Sequence, residues 1–430
     1  MQCVIESVTH MQYASYVRWR NHNGVRFPRR VGFAMEAAPL FPKAWRVGGQ
    51  HLQPRQPLGS LPRVELWRDH AHGPAMLARQ RLAFPGIGQE HIGVAEGLQR
   101  DVGGVAVIAM QHDEARVILH RLLADADVLV QNLAPGAAAR LGLSFAELHP
   151  TYPQLIVCDI SGYGSDGPYR DKKAYDLLIQ SESGFLSVTG TQDDPSKAGC
   201  SVADIAAGMY AYTNILAALI QRGKTGEGSH IDVSMLESMV EWMSFPLYYA
   251  FDGAPPPVRA GASHATIYPY GPFPSGDGKT VMLGLQNERE WVTFCEHVLQ
   301  QPALATDARF SSNSLRSNAR KELYAIIRDA FSSLTAEQVT ARLENAQIAN
   351  ARLNEMSDLW EHAQLRARQR WTEVATPVGS LPALLPPGAS SGWQARMDAI
   401  PALGEHTETI LTSLGYSAEA ITQLKISKAI

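Results

Sequence analysis

The chain has 430 residues, room for about two to three domains and a large buried core. Hydrophobic residues make up 45% and charged residues 19%, ordinary for a globular protein, and a formal net charge of −4 is too small to argue for nucleic acid or a membrane surface as partner. Four scattered cysteines, Cys3, Cys158, Cys200 and Cys295, form no CxxC pair; this excludes a disulfide framework and a zinc site and fits a reducing, cytoplasmic setting.

No apolar run reads as a membrane span, and the N-terminus lacks the charged-then-apolar plan of a signal peptide. The average charge hides an asymmetry. Residues 1–110 hold 12 Arg and one Lys against seven acids, whereas 25 basic and 35 acidic residues share the remainder. Residues 1–104 show neither helical nor strand periodicity and are broken repeatedly by Pro and Gly. A basic nucleic-acid arm would need clustered cations and a recognition motif, and neither is present. An atypical segment, disordered or read out of frame, is the expectation there.

Order is expected from about Gly104. VAVIA (105–109) has strand character. EARVILHRLLADA (114–126) reads as an amphipathic helix with Val117, Ile118, Leu122 and Leu123 on its buried face. DVLVQ (127–131) is a β-branched strand, PGAAARLGL a short helix, and LIVCDIS (155–161) a strand apolar enough to be covered on both faces. Strand, helix, strand, helix, strand points to an α/β domain over 105–230, part of a Rossmann-like doubly wound sheet. A helix then runs from Asp204 to Arg222 and stops at Gly223. IDVSMLESMVEWM (231–243) reads as a second helix, and the Pro/Gly-rich DGAPPPVRAGASH (252–264) as a linker. Residues 231–365 are expected to form linkers and a smaller α+β domain, with a hairpin turning at Gly276-Asp277-Gly278 and helices over 287–299 and 320–331. Residues 366–430 begin extended and proline-rich and close with an amphipathic helix.

Two motifs invite a nucleotide-binding reading and fail it. GYGSDG (162–167) satisfies GxGxxG after a strand, but Pro168, Tyr169 and Arg170 continue a loop where a helix must open. Gly223-Lys224-Thr225 follows a helix rather than a strand, and Ala218 stands where the first glycine of a phosphate loop belongs. No Ser/His/Asp order or nucleophile elbow is present, and His230, His264 and His297 stand alone. A carboxylate is therefore the best candidate nucleophile. Asp204 opens a helix of small residues, where Ala206, Ala207 and Gly208 leave it approachable and the helix dipole favours its ionised form. The plainer alternative is an N-cap aspartate.

Several segments are similar, in order, to the family III CoA-transferases. ADVLVQNLAPGAAARLGL resembles that family's DVLVENFRPG…LERLGL; KAYD (173–176), SVTG, VADIAAGMYA…ILAAL, KTGEGSHIDVSMLE and the closing LGEHT…LGY follow. The resemblance runs from about Gln111 to the C-terminus. It implies that Asp204 is the nucleophile, that Asn132, Leu133 and Ala134 lie along the CoA nucleotide, and that Arg140 meets its phosphates, a role suited to a guanidinium. It also places Lys173, Ala174, Tyr175 and Asp176 along the CoA channel and Gly284, Leu285 and Gln286 in a loop that shields the site. A turn amide for Asn132, a solvated cation for Arg140 and a surface charge run for Lys172-Lys173 are the ordinary structural readings of the same residues.

The implied activity moves CoA between carboxylic acids through aspartyl anhydride and aspartyl-CoA thioester intermediates, with an acyl-CoA and a small acid as substrates and neither metal nor bound cofactor. HATIYPYGPF, LGLQNEREW and AQIANARLNEM resemble the subgroup acting on small dicarboxylates such as mesaconate, citramalate, malate or succinate; Arg259, Arg289 and Arg352 are candidates for the second carboxylate. An interlocked homodimer is implied as well. One alternative is an α-methylacyl-CoA racemase-type isomerase, which would place a His where Tyr175 stands; a phenol with a pKa of about 10 is a poor proton shuttle at neutral pH. Residues 1–104 lack the family's opening strand, its AGP-type loop and its adenine-receiving segment. The Arg, His and Pro excess fits a frameshifted or replaced N-terminus, so the second alternative is an inactive CoA-binding remnant.

Overall fold

The structure, a computed structural model, describes residues 105–110, 112–388, 390–392 and 394–430, and the backbone of two short strands before them. Strands β1 (Ala34–Met35), β2 (His91–Ala95), β3 (Val105–Ala109), β4 (Val128–Gln131), β5 (Ile156–Ser161) and β6 (His230–Ser234) form one sheet in the order β3-β2-β1-β4-β5-β6. β1, β4, β5 and β6 run parallel, while β2 is antiparallel to both β1 and β3. The expectation of an aberrant segment over 1–104 lies outside the described residues, except that β1 and β2 join the sheet upstream of Gly104.

Two compact units divide the chain. The first comprises the described residues up to Ile179, then Ser201–Ser238 and Trp371–Ile430; the second comprises Gln180–Cys200 and Met239–Arg370. In the first, β4 and β5 are buried along their apolar runs, as expected for parallel strands covered on both faces. The helix Asp113–Leu123 buries Ala115, Ile118, Leu119, Leu122 and Leu123. Val117 is half exposed, against expectation, because it falls on the side of the helix opposite that stripe. Acidic residues open this helix and His120 and Arg121 close it, which complements its dipole.

The stretch 231–243 is not one helix. His230–Ser234 is β6, and the helix begins only at Met235. Ile231 and Val233 alternate with Asp232 and Ser234, a strand period that pairing with β5 selects over the helical one. The helix expected from Asp204 to Arg222 is longer, Val202–Thr225, and passes through Gly223. Its stop is Gly226 at φ +80°, whose N–H donates to the Arg222 carbonyl at 2.8 Å. By length and composition alone this helix could cross a membrane, a test that the core helix of a globular protein also passes. It carries Asp204 and Arg222 among its buried residues. Arg222 donates to Asp127 Oδ1 at 2.6 Å and to the carbonyls of Asp127 and Gln154.

The C-terminal residues complete this unit. The hairpin β10 (Trp371–Thr376) and β11 (Gly379–Leu384) is followed by helices Thr407–Ser413 and Ala418–Ile426. Ile410, Leu411, Ile421 and Leu424 share a core with Ile108, Ile118 and Leu122. Val107 N–H donates to Thr407 Oγ1 at 3.3 Å, and Ala109 N–H to the Ala429 carbonyl at 2.9 Å.

The second unit has an antiparallel sheet, β7 (Tyr270–Pro274), β8 (Thr280–Gly284) and β9 (Ala349–Arg352), in that order. Its hairpin turns through residues 276–278 as the sequence implies, with Gly278 at φ +78°. Phe273, Trp291, Phe294, Phe310, Ile327 and Phe331 fill the core. The helix expected over 287–299 is α-helical over Glu288–Thr293 and widens to a π-turn over Phe294–Val298. The segment 180–200 is held within this unit: the Arg259 guanidinium donates to the Thr191 and Gln192 carbonyls, and Gly261 N–H donates to the Gly190 carbonyl at 2.7 Å.

Candidate active site

In the first unit, register pairs Gln131 of β4 with Asp159 of β5, and Ser161 of β5 with Ser234 of β6. The segments that leave β4 and β5 therefore start from the same carboxyl edge of a parallel sheet, where α/β proteins build their ligand sites. After β5 the chain does not enter a helix until Asp176, so the loop reading of GYGSDG holds. Gly162 is needed there for a close approach: a Cβ on it would lie 2.2 Å from the Ala174 Cβ. This contact seats Lys173–Asp176 beside the β5 loop, whose Gly162 carbonyl accepts from Leu236 N–H at 3.1 Å.

Asp176 then reaches the start of the long helix. Its Oδ1 accepts from Ala203 N–H at 2.8 Å and from Asp204 N–H at 3.4 Å. The N-cap position belongs to Ser201, which makes no side-chain cap bond, so a carboxylate from elsewhere in the sequence satisfies the helix start. Asp204 is the third helical residue and is 2% exposed. The N-cap reading of Asp204 is thus replaced: Asp176 does the capping. Burial, reinforced by the negative charge of Asp176, pushes the Asp204 carboxyl up to about 7. The dipole argument points the other way and is outweighed. A buried carboxylate of raised basicity, flanked by Ala203, Ala206 and Ala207, is chemically suited to attack an electrophilic carbonyl.

Asn132 and Leu133 follow β4 and are half-buried, while Ala134 and Arg140 are exposed, the latter closing the short helix Ala137–Arg140. Lys173 and Tyr175 are exposed and Ala174 is half-buried. Three residues that sequence reasoning left out of the site are bonded to one another across the end of β4, β5 and the start of β6. Gln131 Nε2 donates to Asp159 Oδ1 at 2.7 Å, its Oε1 accepts from Leu133 N–H at 2.7 Å, and His230 Nε2 bonds Asp159 Oδ2 at 2.8 Å. That hydrogen bond raises the His230 pKa, so His230 does not stand alone. A signal was present: Gln131 ends the apolar run DVLVQ and Asp159 interrupts the apolar run LIVCDIS, and polar groups set into a buried strand need partners.

The remaining candidates lie in the second unit. Gly284 and Leu285 are buried at the end of β8 and Gln286 is exposed. Leu285 N–H donates to the Pro269 carbonyl at 3.0 Å, and Gln286 N–H to Glu290 Oε2 at 2.7 Å, so the segment is anchored on both sides. A Cβ on Gly284 would press on the Tyr270 ring at 3.0 Å. Of the three arginines, Arg259 is engaged by backbone carbonyls, while Arg289 and Arg352 are exposed. Among the described residues, no group of three or more His, Cys, Asp or Glu could hold a metal ion.

The family profile described as CoA-transferase family III matches residues 81–407, beginning upstream of Gln111. Succinyl-CoA:glutarate CoA-transferase of Mus musculus is 33% identical over 321 residues, 73% of this chain and 72% of its own length. Succinate–glutarate CoA-transferase of Agrobacterium fabrum is 31% identical, over 72% of this chain and 77% of its own. A crystal structure of a CAIB/BAIF family protein from Brucella suis superimposes with a TM-score of 0.63 at 31% identity, covering 71% of this chain and 80% of that one. With its mixed α/β fold and a profile match across most of its length, the chain belongs to family III of the CoA-transferases and is an enzyme of that kind.

Proposed function

We propose that this enzyme transfers CoA between small dicarboxylic acids, with Asp204 as its nucleophile. The observation that carries the reading is the buried Asp204 carboxylate, raised in basicity, on a helix start that Asp176 caps from the KAYD segment. An Asp204 oxygen attacks the acyl-CoA carbonyl and forms a mixed anhydride, and the C–S bond breaks to release CoA thiolate. The thiolate then attacks the Asp204 carbonyl of the anhydride, giving an aspartyl-CoA thioester and the free donor acid. The acceptor carboxylate attacks that thioester, and the same two steps in reverse order deliver the new acyl-CoA and restore Asp204. Each step exchanges one acyl bond for another, so the thioester energy is kept and no ATP is needed. Water would intercept both intermediates and has to be excluded. Shielding is assigned by family likeness to Gly284, Leu285 and Gln286.

Asn132, Leu133 and Ala134 are assigned to the CoA nucleotide, Arg140 to its phosphates, and Lys173–Asp176 to the channel. The names of the two curated relatives support succinyl-CoA as donor and a short dicarboxylate as acceptor. Arg289 and Arg352, both exposed, suit the second carboxylate better than Arg259, whose guanidinium is already engaged. The parallel strands β1, β4, β5 and β6 support a Rossmann-like large domain. A reducing, cytoplasmic setting is proposed from the scattered spacing of the four cysteines. A homodimer is proposed as well, on the strength of an exposed aromatic stretch described below.

The test incubates the enzyme with succinyl-CoA and glutarate, malate, citramalate or mesaconate and follows product acyl-CoAs by mass spectrometry. Hydroxylamine added during turnover should convert the Asp204 carboxyl to its hydroxamate. An Asp204→Asn enzyme should show no modification and a loss of transfer of at least about a thousandfold, the scale on which loss of a covalent nucleophile is felt. Undiminished transfer by that variant would remove Asp204 from the chemistry.

A further inference from the structure

Gln131, Asp159 and His230 lie on three adjacent strands, and none takes part in the acyl transfer derived above. Their hydrogen bonds have a direction. The Asp159 carboxylate can only accept, so Gln131 must turn its Nε2 toward Asp159 Oδ1, at 2.7 Å. Its Oε1 then points away from Asp159 and accepts the Leu133 N–H, also at 2.7 Å. His230 Nε2 holds the other carboxylate oxygen at 2.8 Å, and its ring is stacked on Phe145 with 5.5 Å between centroids. The imidazole is thus fixed by packing, the carboxylate by the imidazole, and the amide by the carboxylate. Gln131 is itself 8% exposed, so water offers its amide little alternative partnership.

We propose that Gln131, oriented by the Asp159–His230 pair, is a positioning residue for CoA: it fixes the backbone of Asn132–Ala134, the segment that receives the nucleotide. This rests on the assignment of Asn132–Ala134 to CoA made above. The chain of bonds ends on a backbone N–H at the carboxyl edge of the sheet. Its loss therefore loosens that segment without touching Asp204 or the bonds that cap its helix.

The decisive experiment exchanges the two polar groups. In Gln131→Glu a second carboxylate faces Asp159 at hydrogen-bond distance, and repulsion breaks the relay. In the double variant Gln131→Glu/Asp159→Asn the donor and acceptor are swapped. The new amide on β5 donates through its nitrogen to the new carboxylate on β4 and accepts from His230 through its oxygen. The carboxylate on β4 still accepts from the Leu133 N–H. Three quantities are read in wild type, single and double variants: KM for succinyl-CoA, kcat, and hydrogen exchange of the Leu133 amide. The single variant is expected to raise KM roughly five- to tenfold, the scale of one lost buried hydrogen bond, with kcat within twofold and faster Leu133 exchange. The double variant should return both KM and exchange toward wild type. Unchanged Leu133 exchange in the single variant overturns the positioning role. Faster exchange with unchanged KM also overturns the inference and shows instead that this segment is not where CoA binds. A fall in kcat at constant KM, or no recovery in a double variant that melts like wild type, overturns it too.

Discussion

A carboxylate in the first turn of a helix feels two opposing fields. The helix dipole favours its charge; burial and the neighbouring Asp176 oppose it, and at Asp204 the opposition wins, leaving a carboxyl that titrates at about 7. Only the ionised form can serve as the nucleophile proposed above, so kcat/KM should rise with pH through about 7. Asp176→Asn keeps an oxygen for the helix cap and removes the charge; the inflection should move to lower pH, and activity at pH 6 relative to pH 8 should rise. An inflection left in place would mean that Asp176 only caps. Stability carries the same information with a definite sign. A carboxyl raised above its unfolded value binds its proton more tightly when folded, so its contribution is present in acid and lost as pH rises toward 7. Asp204→Asn should therefore raise the melting temperature at pH 8 more than at pH 5, as differential scanning calorimetry would show. The place of Asp204 in the first turn of a small-residue helix was legible in the sequence. The partnership of Asp159 with His230, 71 residues away, was not, because a strand pairing decides it and local periodicity does not encode pairings.

Among the elements, the helix Val202–Thr225 is fixed at both ends by acids distant in sequence: Asp176 caps its start, and Asp127 meets Arg222 near its end. The Arg222 pair is buried, with side chains 9% and 12% exposed, so breaking it strands a charge. Arg222→Ala should cost about 3 to 5 kcal/mol in urea unfolding. Arg222→Met with Asp127→Leu, which removes both charges, should recover most of that; an Arg222→Ala loss under ~1 kcal/mol would show the pair to be solvated. Most helix and strand positions over 105–161 and 320–331 were readable because each element carries its own apolar pattern, separated from the next by a loop. The misreading of 231–243 arose where two periods meet, strand alternation in Ile231–Ser234 running straight into the helix at Met235 without a glycine or proline between them.

On the scale of the whole molecule, the second unit leaves a run of large apolar side chains uncovered. Trp242, Phe245, Leu247, Tyr248, Tyr249 and Phe251 are all 46% to 75% exposed. Contiguous exposure of this size is characteristic of a contact surface, and it supports a second copy of the chain as the occupant. Light scattering coupled to gel filtration should give a dimer, and Tyr248→Asp with Phe251→Asp should shift it to a monomer with unchanged circular dichroism. A wild-type monomer would refute the dimer. The discontinuity of both units was not visible in the sequence: the Pro/Gly-rich 252–264 lies inside the second unit, and nothing local shows that 180–200, besides bonding within itself, is bonded to Arg259.

The C-terminal helices have a consequence for how the molecule comes into being. Ile410, Leu411, Ile421 and Leu424 are part of the same core as Ile108 and Ile118, and Ala429 closes a backbone bond to Ala109. Residues 410–429 must therefore leave the ribosome before the first unit has its full complement of buried side chains. Most of the second unit, Met239–Arg370, is one continuous stretch that emerges earlier and can condense while synthesis continues. The interrupted unit that carries Asp204 can become whole only after the stretches on both sides of the second unit have been made.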